Sequence, residues 1–371
     1  MHQLYLKMKK KIRIAYVDCL KIDVLKEWLQ DKFDLIIDWE KPDFLFYSNY
    51  ESNHLRYKDC VKIFVNYENC APDFNQCDYA ISAVKQTYGD RCFWYPLAAQ
   101  TKHKRIVLEN LDDATLLDRE FCSFIYSQSR LGAGAKARTL FCQKLQEAYK
   151  PVACPGAVLH NVDAPELSER YDVANWIKKI KYLSKFKFNI AFENSDAPGY
   201  ITEKLMDCYL AGVVPIYWGS LSDLTPFPKE SMICAADYAD ISALIQRVKE
   251  VDNDDELYLS IVRANPLLQG EFYDFEEKCK QFLERVIDKG NAPYEKDTYL
   301  VSDTSRFIRA SRGVLRLWLN CAFYATVAVL MSLLKKREKR SIWAARYTHA
   351  RWSLKDIRNA RSADATDPRI S

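Results

Sequence analysis

Residues 188–220 read FNIAFENSDAPGYITEKLMDCYLAGVVPIYWGS. The run opens on a short apolar strand that ends at Glu193-Asn194, and a turn carrying Pro198-Gly199 follows. A helix then starts at Thr202-Glu203-Lys204. Leu205, Met206, Tyr209 and Leu210 recur at helical spacing, and Gly212 stands where a left-handed residue closes a helix. Residues 213–218 make the next strand. Strand, helix and strand in this order form one unit of an open α/β sheet, and such sheets hold ligands beyond the carboxyl ends of their strands. Free N–H groups and the helix dipole at that point favour phosphate. Lys204 in the first turn opposes the dipole, which makes sense when an anion such as a diphosphate lies between them. Glu203 has lone pairs for ribose hydroxyls, and Tyr200 can pack on or hydrogen-bond a nucleotide sugar.

Outward from this stretch the same alternation continues. Apolar runs at 12–17, 35–37, 44–47, 61–65 and 79–81 have strand length, and residues 24–29 are amphipathic. A second series starts at 121–126, with a helical pattern over 135–149 and a strand at 187–192. Two consecutive series predict two Rossmann-like lobes, residues 10–110 and 118–290, with a cleft between them. No internal repeat or low-complexity tract precedes residue 290.

Length and composition agree with that division. The 371 residues exceed one typical domain, and 49% hydrophobic content supplies the cores. Residues 291–371 hold 16 Lys/Arg against 7 Asp/Glu, a net of +9, whereas residues 1–290 carry −5. An anionic surface would therefore meet the tail and not the body. Twelve cysteines without any CxxC pair read as reduced thiols of a cytosolic protein, and neither their spacing nor the five histidines suit a zinc site. Residues 1–11 are basic but lead into only a short apolar stretch, so neither a signal peptide nor a signal anchor is expected there.

The segment FENS (192–195), the run YITEK (200–204) and the strand VPIYWGS (214–220) together resemble the signature of the α-1,3/4-fucosyltransferases, glycosyltransferase family 10. The resemblance extends more thinly to IFVNYENCAPDFNQCDYAIS (63–82) and to residues 154–161. It implies an α/β, GT-B-like fold with an acceptor-binding first lobe and a GDP-fucose-binding second lobe. It also implies inverting transfer of L-fucose to a sugar hydroxyl, O3 of an N-acetylglucosamine, with no metal or other cofactor required. Carried over, Tyr200, Glu203 and Lys204 would contact GDP-fucose, with Asn194 and Thr202 beside them. Glu68, just after an apolar strand, would be the general base that takes the acceptor proton while the diphosphate leaves. Glu193 is the competing candidate, or a group that orients the fucose ring. Some bacterial relatives place a phosphate-binding arginine in the loop that here reads PGAVLHN (155–161), where the nearest residues are His160 and Asn161.

Other motifs weigh less. GAGAKA (132–137) imitates a dinucleotide fingerprint, but residues 152–158 lack the acidic partner expected about 20 residues on. Asp252-Asn253-Asp254 imitates a metal-binding DxD inside an acidic, helix-linking loop that reads as solvated, and Trp176 and Trp218 read as core. In the tail, residues 317–334 are 18 positions without a charge, flanked by Arg309, Arg312, Arg316 and Lys335-Lys336-Arg337. As a helix they would measure ~27 Å, near the thickness of a bilayer core. Trp343, Tyr347, Ala350, Leu354 and Ile357 then share a helical face, with Arg346, Arg351, Lys355 and Arg358 elsewhere, the pattern of a basic membrane-surface helix. Attachment in the membrane plane is favoured over spanning, because spanning would export the more basic end from a cytoplasmic body. Packing of this stretch on the body or on another subunit is the further alternative. The expected picture is a bacterial-type enzyme, peripheral on the cytoplasmic face of the inner membrane, building Lewis-type or other surface glycans. Its expected partners are GDP-fucose, an N-acetyllactosamine-type or surface-polysaccharide acceptor and an anionic membrane; nucleic acid is not among them. The alternative from another class is a non-catalytic, membrane-bound sugar-nucleotide or glycan-binding protein of the same fold.

Overall fold

A computed structural model describes residues 9–18, 23–99, 112–129, 133–167, 173–220, 227–268, 275–294, 322–323 and 325–327. The first lobe is built from β1 (Lys10–Val17), α1 (Asp23–Gln30), β2 (Phe33–Ile37), β3 (Phe44–Tyr47), β4 (Val61–Asn66), β5 (Tyr79–Ser82) and β6 (Cys92–Trp94). Its six strands lie in the order β2-β1-β3-β4-β5-β6, all parallel. Parallel strands are covered on both faces and read as continuous apolar runs. Accordingly Phe44, Phe46, Ile63 and Val65 point into one core while Leu45, Tyr47 and Phe64 point to the other side.

The second lobe contains α2 (Asp113–Leu117), β7 (Glu120–Ser123), α3 (Ala133–Ala148), α4 (Val173–Leu183), β8 (Phe186–Phe192), α5 (Glu203–Ala211), β9 (Val214–Trp218), β10 (Ile233–Cys234), α6 (Ile241–Asp252) and α7 (Asp255–Arg263). Its sheet, order β10-β9-β8-β7, is also parallel throughout. Phe141, Leu145, Phe188, Ile190, Val248 and Tyr258 fill one face; Ile180, Leu205, Tyr209 and Tyr217 fill the other. Gly212 closes α5 with φ 61°, its N–H bonded to the carbonyls of Cys208 and Tyr209, as its position in the sequence predicts.

The last helix departs from the expected boundary at residue 290. Helix α8 (Phe275–Asp288) buries Phe275, Cys279, Phe282, Leu283, Val286 and Ile287 in the core of the first lobe, beside Leu25, Trp28 and Leu29 of α1. Trp28 Nε1 donates to Glu276 at 3.1 Å, and Lys32 pairs with Asp288 at 2.7 Å. An apolar helical stripe states that a helix is buried and leaves open which lobe buries it. The chain beyond α8 stays on that lobe, with Asn291 bonded to Asp43 and the Tyr294 N–H to Asp78.

Among the described residues no helix is long and apolar enough to cross a membrane. Residues 322–323 and 325–327 are helical; the rest of 317–334 and all of 343–358 lie outside the described residues. The ten cysteines among those described are in the thiol form. Asp252-Asn253-Asp254 does link two helices, Asn253 ending α6 and Asp254 capping α7. Asp252 itself is buried, not solvated, and accepts from Tyr149 and Lys150.

Candidate donor and transfer site

Strand β8 ends at Phe192, and the next residue, Glu193, has no solvent exposure. Its Oε1 accepts the Thr202 N–H at 2.7 Å and its Oε2 the Thr202 hydroxyl at 2.7 Å. Thr202 is the N-cap of α5, so Glu193 ties the start of that helix to the end of the strand. Lys204 Nζ lies 3.2 Å from Glu193 Oε2, 3.3 Å from Glu203 Oε1 and 2.8 Å from Thr202 Oγ1. Glu193 thus gives this lysine an anionic partner within the chain. Burial lowers the lysine's affinity for its proton, yet the two carboxylates outweigh it and raise the pKa. Burial pushes the Glu193 carboxyl up, against Lys204 and the Thr202 hydrogen bonds. Desolvation works in the same direction on Glu203, but Lys204 and Lys179 outweigh it and hold its pKa at about 2.

A cavity of about 340 Å³ opens at this helix start, within the size range of ligand sites. Arg138, Lys179, Lys204, Glu203 and Asn194 line it together with the apolar side chains Ile125, Leu183 and Ile190. Arg138, on α3, is 2% exposed; its Nη1 donates to Asn194 Oδ1 at 2.8 Å and its Nη2 to the Gln128 carbonyl at 2.6 Å. The guanidinium stacks 3.8 Å from the Tyr126 ring centroid, and its Nε finds no partner among the described residues. Lys179, on α4, pairs with the buried Asp207 at 2.6 Å, and Trp176 Nε1 donates to the same carboxylate at 2.9 Å. Three cations from three helices therefore converge on one cavity.

The expected site residues fall into three groups. Asn194, Glu203 and Lys204 line the cavity. Glu193, Thr202 and Tyr200 are buried behind it, Tyr200 at 3% exposure. Glu193 therefore differs from the catalytic role considered for it, since both its oxygens are engaged and neither meets solvent. His160 does not reach the cavity: its half-exposed ring lies 3.3 Å from Asp163. Its neighbour Asn161 closes the loop instead, accepting from the Cys154 N–H at 2.8 Å and donating to the Val152 carbonyl at 2.9 Å.

Glu68 is exposed in the loop after β4, on the first lobe. Asn66 shapes that loop, its side chain bonding the Glu68 N–H and the carbonyls of Glu68 and Cys70. Asn69 Nδ2 crosses to Ser195 Oγ at 2.6 Å, which brings the loop to the turn after β8. Burial raises the Tyr200 phenol pKa, and the charges of Glu193 and Glu68 push the same way.

Arg138, Lys179 and Asp207 are the site residues that motif reading misses. Arg138 follows the small-residue run at 132–137 and looks like an ordinary helix cation. The useful signal is Gly134: a Cβ there would lie 2.1 Å from the Glu193 carbonyl oxygen and 2.5 Å from Trp218. Only glycine lets α3 approach the end of β8 closely enough to deliver Arg138.

Two family models match the chain: the N-terminal domain of α-(1,3)-fucosyltransferase FucT over residues 14–100, and the C-terminal part of glycosyltransferase family 10 (fucosyltransferase) over residues 124–274. An α-(1,3)-fucosyltransferase FucT of Helicobacter pylori is 28% identical over 63% of this chain and 54% of its own length. The α-(1,3)-fucosyltransferase B of Drosophila melanogaster is 34% identical over 32% of this chain and 29% of its own. The chain thus spans about half, or less, of the length of these curated relatives. A crystal structure of an α1,3-fucosyltransferase with GDP superposes with a TM-score of 0.61 at 22% identity, over 80% of this chain and 96% of that one. One solved with GDP-fucose gives 0.58 at 24%, over 78% and 94%. The fold is accordingly GT-B-like, and both halves of the body match the same group of proteins. The chain belongs to glycosyltransferase family 10, the fucosyltransferases.

Proposed function

We propose that this protein is an α-1,3-fucosyltransferase that moves L-fucose from GDP-fucose to a glycan hydroxyl with inversion at the anomeric carbon. The observation that carries the reading is the convergence of Lys204, Arg138 and Lys179 on a cavity at the N-terminus of α5. Positive charge and a helix dipole at that point stabilise a departing diphosphate, and Asn194 and Glu203 offer hydrogen bonds to the nucleotide and its sugar. Because side chains supply this charge, the reaction is proposed to need no metal or other cofactor. Glu68 is the proposed base: it is exposed on the first lobe, in the loop that Asn69 ties to Ser195. It takes the proton of the acceptor hydroxyl as the new C1–O bond forms and the bond to GDP breaks.

The proposed acceptor hydroxyl is O3 of an N-acetylglucosamine in an N-acetyllactosamine-type chain of a bacterial Lewis-type or other surface glycan. Residues 291–371 are proposed to hold the enzyme on an anionic membrane at the cytoplasmic face, through apolar and basic contacts. The decisive experiment mixes protein, GDP-fucose and N-acetyllactosamine and follows GDP release and product linkage. Fucosylated product with an α-1,3 bond is expected. GDP-fucose binding without any transfer would instead identify a non-catalytic binding protein. Co-sedimentation with vesicles rich in anionic lipid tests the tail, and no binding at low salt would rule out the membrane assignment.

A further inference from the structure

We propose that Trp94 and Gly199 form a positioning contact between the lobes that sets the spacing from the Glu68 loop to the donor-binding helix; this rests on the function proposed above. Residues 195–201 run from the end of β8 to the start of α5, between the Glu193 pin and the Thr202 cap. Among the described residues, the ends of the first lobe's strands and the stretch that follows β6 bond this short segment at several points. Asn69 Nδ2 donates to Ser195 Oγ at 2.6 Å, and the Lys85 N–H to the Pro198 carbonyl at 2.7 Å. Trp94 Nε1 donates to the Gly199 carbonyl at 3.0 Å, and the Ala98 N–H to that of Ile201 at 3.2 Å. Asn69, Lys85 and Trp94 follow or end strands β4, β5 and β6, so the donors come from the same sheet end that carries Glu68.

At Gly199 the approach leaves no room for a side chain. Its φ is +71°, and a Cβ there would lie 2.6 Å from Trp94 Nε1 and 2.7 Å from Lys85 Cβ. From behind, the second lobe holds the same residue by its N–H, which donates to Ser220 Oγ at 3.0 Å. Trp94 is braced in turn: Phe275 of α8 meets its ring edge-on at 5.4 Å, and Lys85 Nζ lies 5.2 Å over its face. The indole is thus gripped by the first lobe while its one donor grips the second, a single residue from Tyr200. Neither Trp94 nor Gly199 lines the cavity. Their effect is on geometry, and a misplacement of about 1 Å between reacting groups can cost about 100-fold in rate.

The test compares Trp94→Phe, which keeps a ring against Phe275 and loses the donor, with Gly199→Ala, which adds the forbidden methyl. Each is expected to lower the transfer kcat about tenfold or more, Gly199→Ala the more strongly. GDP affinity by calorimetry and KM for GDP-fucose should stay within about twofold. The double variant should be little worse than Gly199→Ala alone, because both changes act on one contact. If Gly199→Ala does not fold, Trp94→Phe carries the test by itself. Wild-type protein that transfers fucose while Trp94→Phe keeps its kcat within twofold would overturn the positioning role and leave the proposed function standing. Equal losses of GDP affinity and kcat would also overturn it, since the contact would then serve donor binding. A wild-type protein without transfer would overturn the proposed function itself.

Discussion

Glu68 and Glu193 both follow a β-strand, and their surroundings separate their roles. Glu68 is exposed, as the base proposed above has to be, whereas Glu193 engages both oxygens with Thr202 and Lys204. Glu68→Gln should therefore fold and bind GDP-fucose normally while transfer falls by roughly 10²–10⁴-fold, the usual contribution of a positioned base. Turnover near wild type at saturating substrates would exclude Glu68 from that role. Lys204→Ala should weaken GDP binding roughly ten- to a hundredfold, because a charge-assisted bond to a diphosphate contributes about 1.5–3 kcal/mol. It should also cost about 3–5 kcal/mol of stability, because Glu193 is left as a buried carboxylate without its cation. Adding Glu193→Gln should restore much of that stability and none of the affinity. Unchanged GDP affinity in the double variant, read by calorimetry, would refute the diphosphate site.

At the level of elements, α5 is held at both ends. Glu193 and Thr202 fix its start, and Arg119 Nη1 caps its finish by donating to the Gly212 carbonyl at 2.6 Å. Helix α3 meets the same strand end through Gly134, whose N–H donates to the Asn194 carbonyl at 3.0 Å. Two effects of Gly134→Ala oppose each other. Helix propensity favours alanine by up to about 1 kcal/mol, while a methyl 2.1 Å from the Glu193 carbonyl forces α3 off the sheet. Overpacking of this kind costs about 1–3 kcal/mol, and here backbone must move, so the clash wins. Denaturant melts should show a net loss of stability together with weaker GDP binding, as Arg138 withdraws. A stabilised variant would show that the approach is not tight.

Across the whole molecule, the chain returns through α8 to the first lobe, and Asp43 secures the residues beyond it. The carboxylate accepts from the Arg13 backbone, the Arg13 guanidinium at 2.7 Å and Asn291 at 2.8 Å. Those partners, the guanidinium foremost, hold its pKa at about 2 against 3.8 when unperturbed. A carboxyl with a depressed folded-state pKa stabilises the fold above its unfolded pKa, and that stabilisation disappears as pH falls through the folded value. Asp43→Asn should therefore cost about 1–2 kcal/mol near neutrality once solvent screening of the exposed Arg13 is allowed for. The gap to wild type should close between about pH 4 and pH 2. A gap that does not change with pH would mean that packing, not charge, makes the contribution.

Local pattern was sufficient for most of both sheets, for the helix start at Thr202 and for its end at Gly212, but not for the short edge strands β6 and β10. Strand and helix periodicity, caps and turn residues act within a few positions of the chain, and the FENS, YITEK and VPIYWGS runs mark the family on their own. Tertiary structure decided which of those residues line the cavity. It buried Glu193, turned His160 toward Asp163 and brought in Arg138 and Lys179 from helices whose composition does not distinguish them. It also assigned α8 to the first lobe and joined Trp94 to Gly199, 105 residues apart. Burial and contact between distant segments depend on which surfaces the folded chain presses together, and no short window of sequence contains that information.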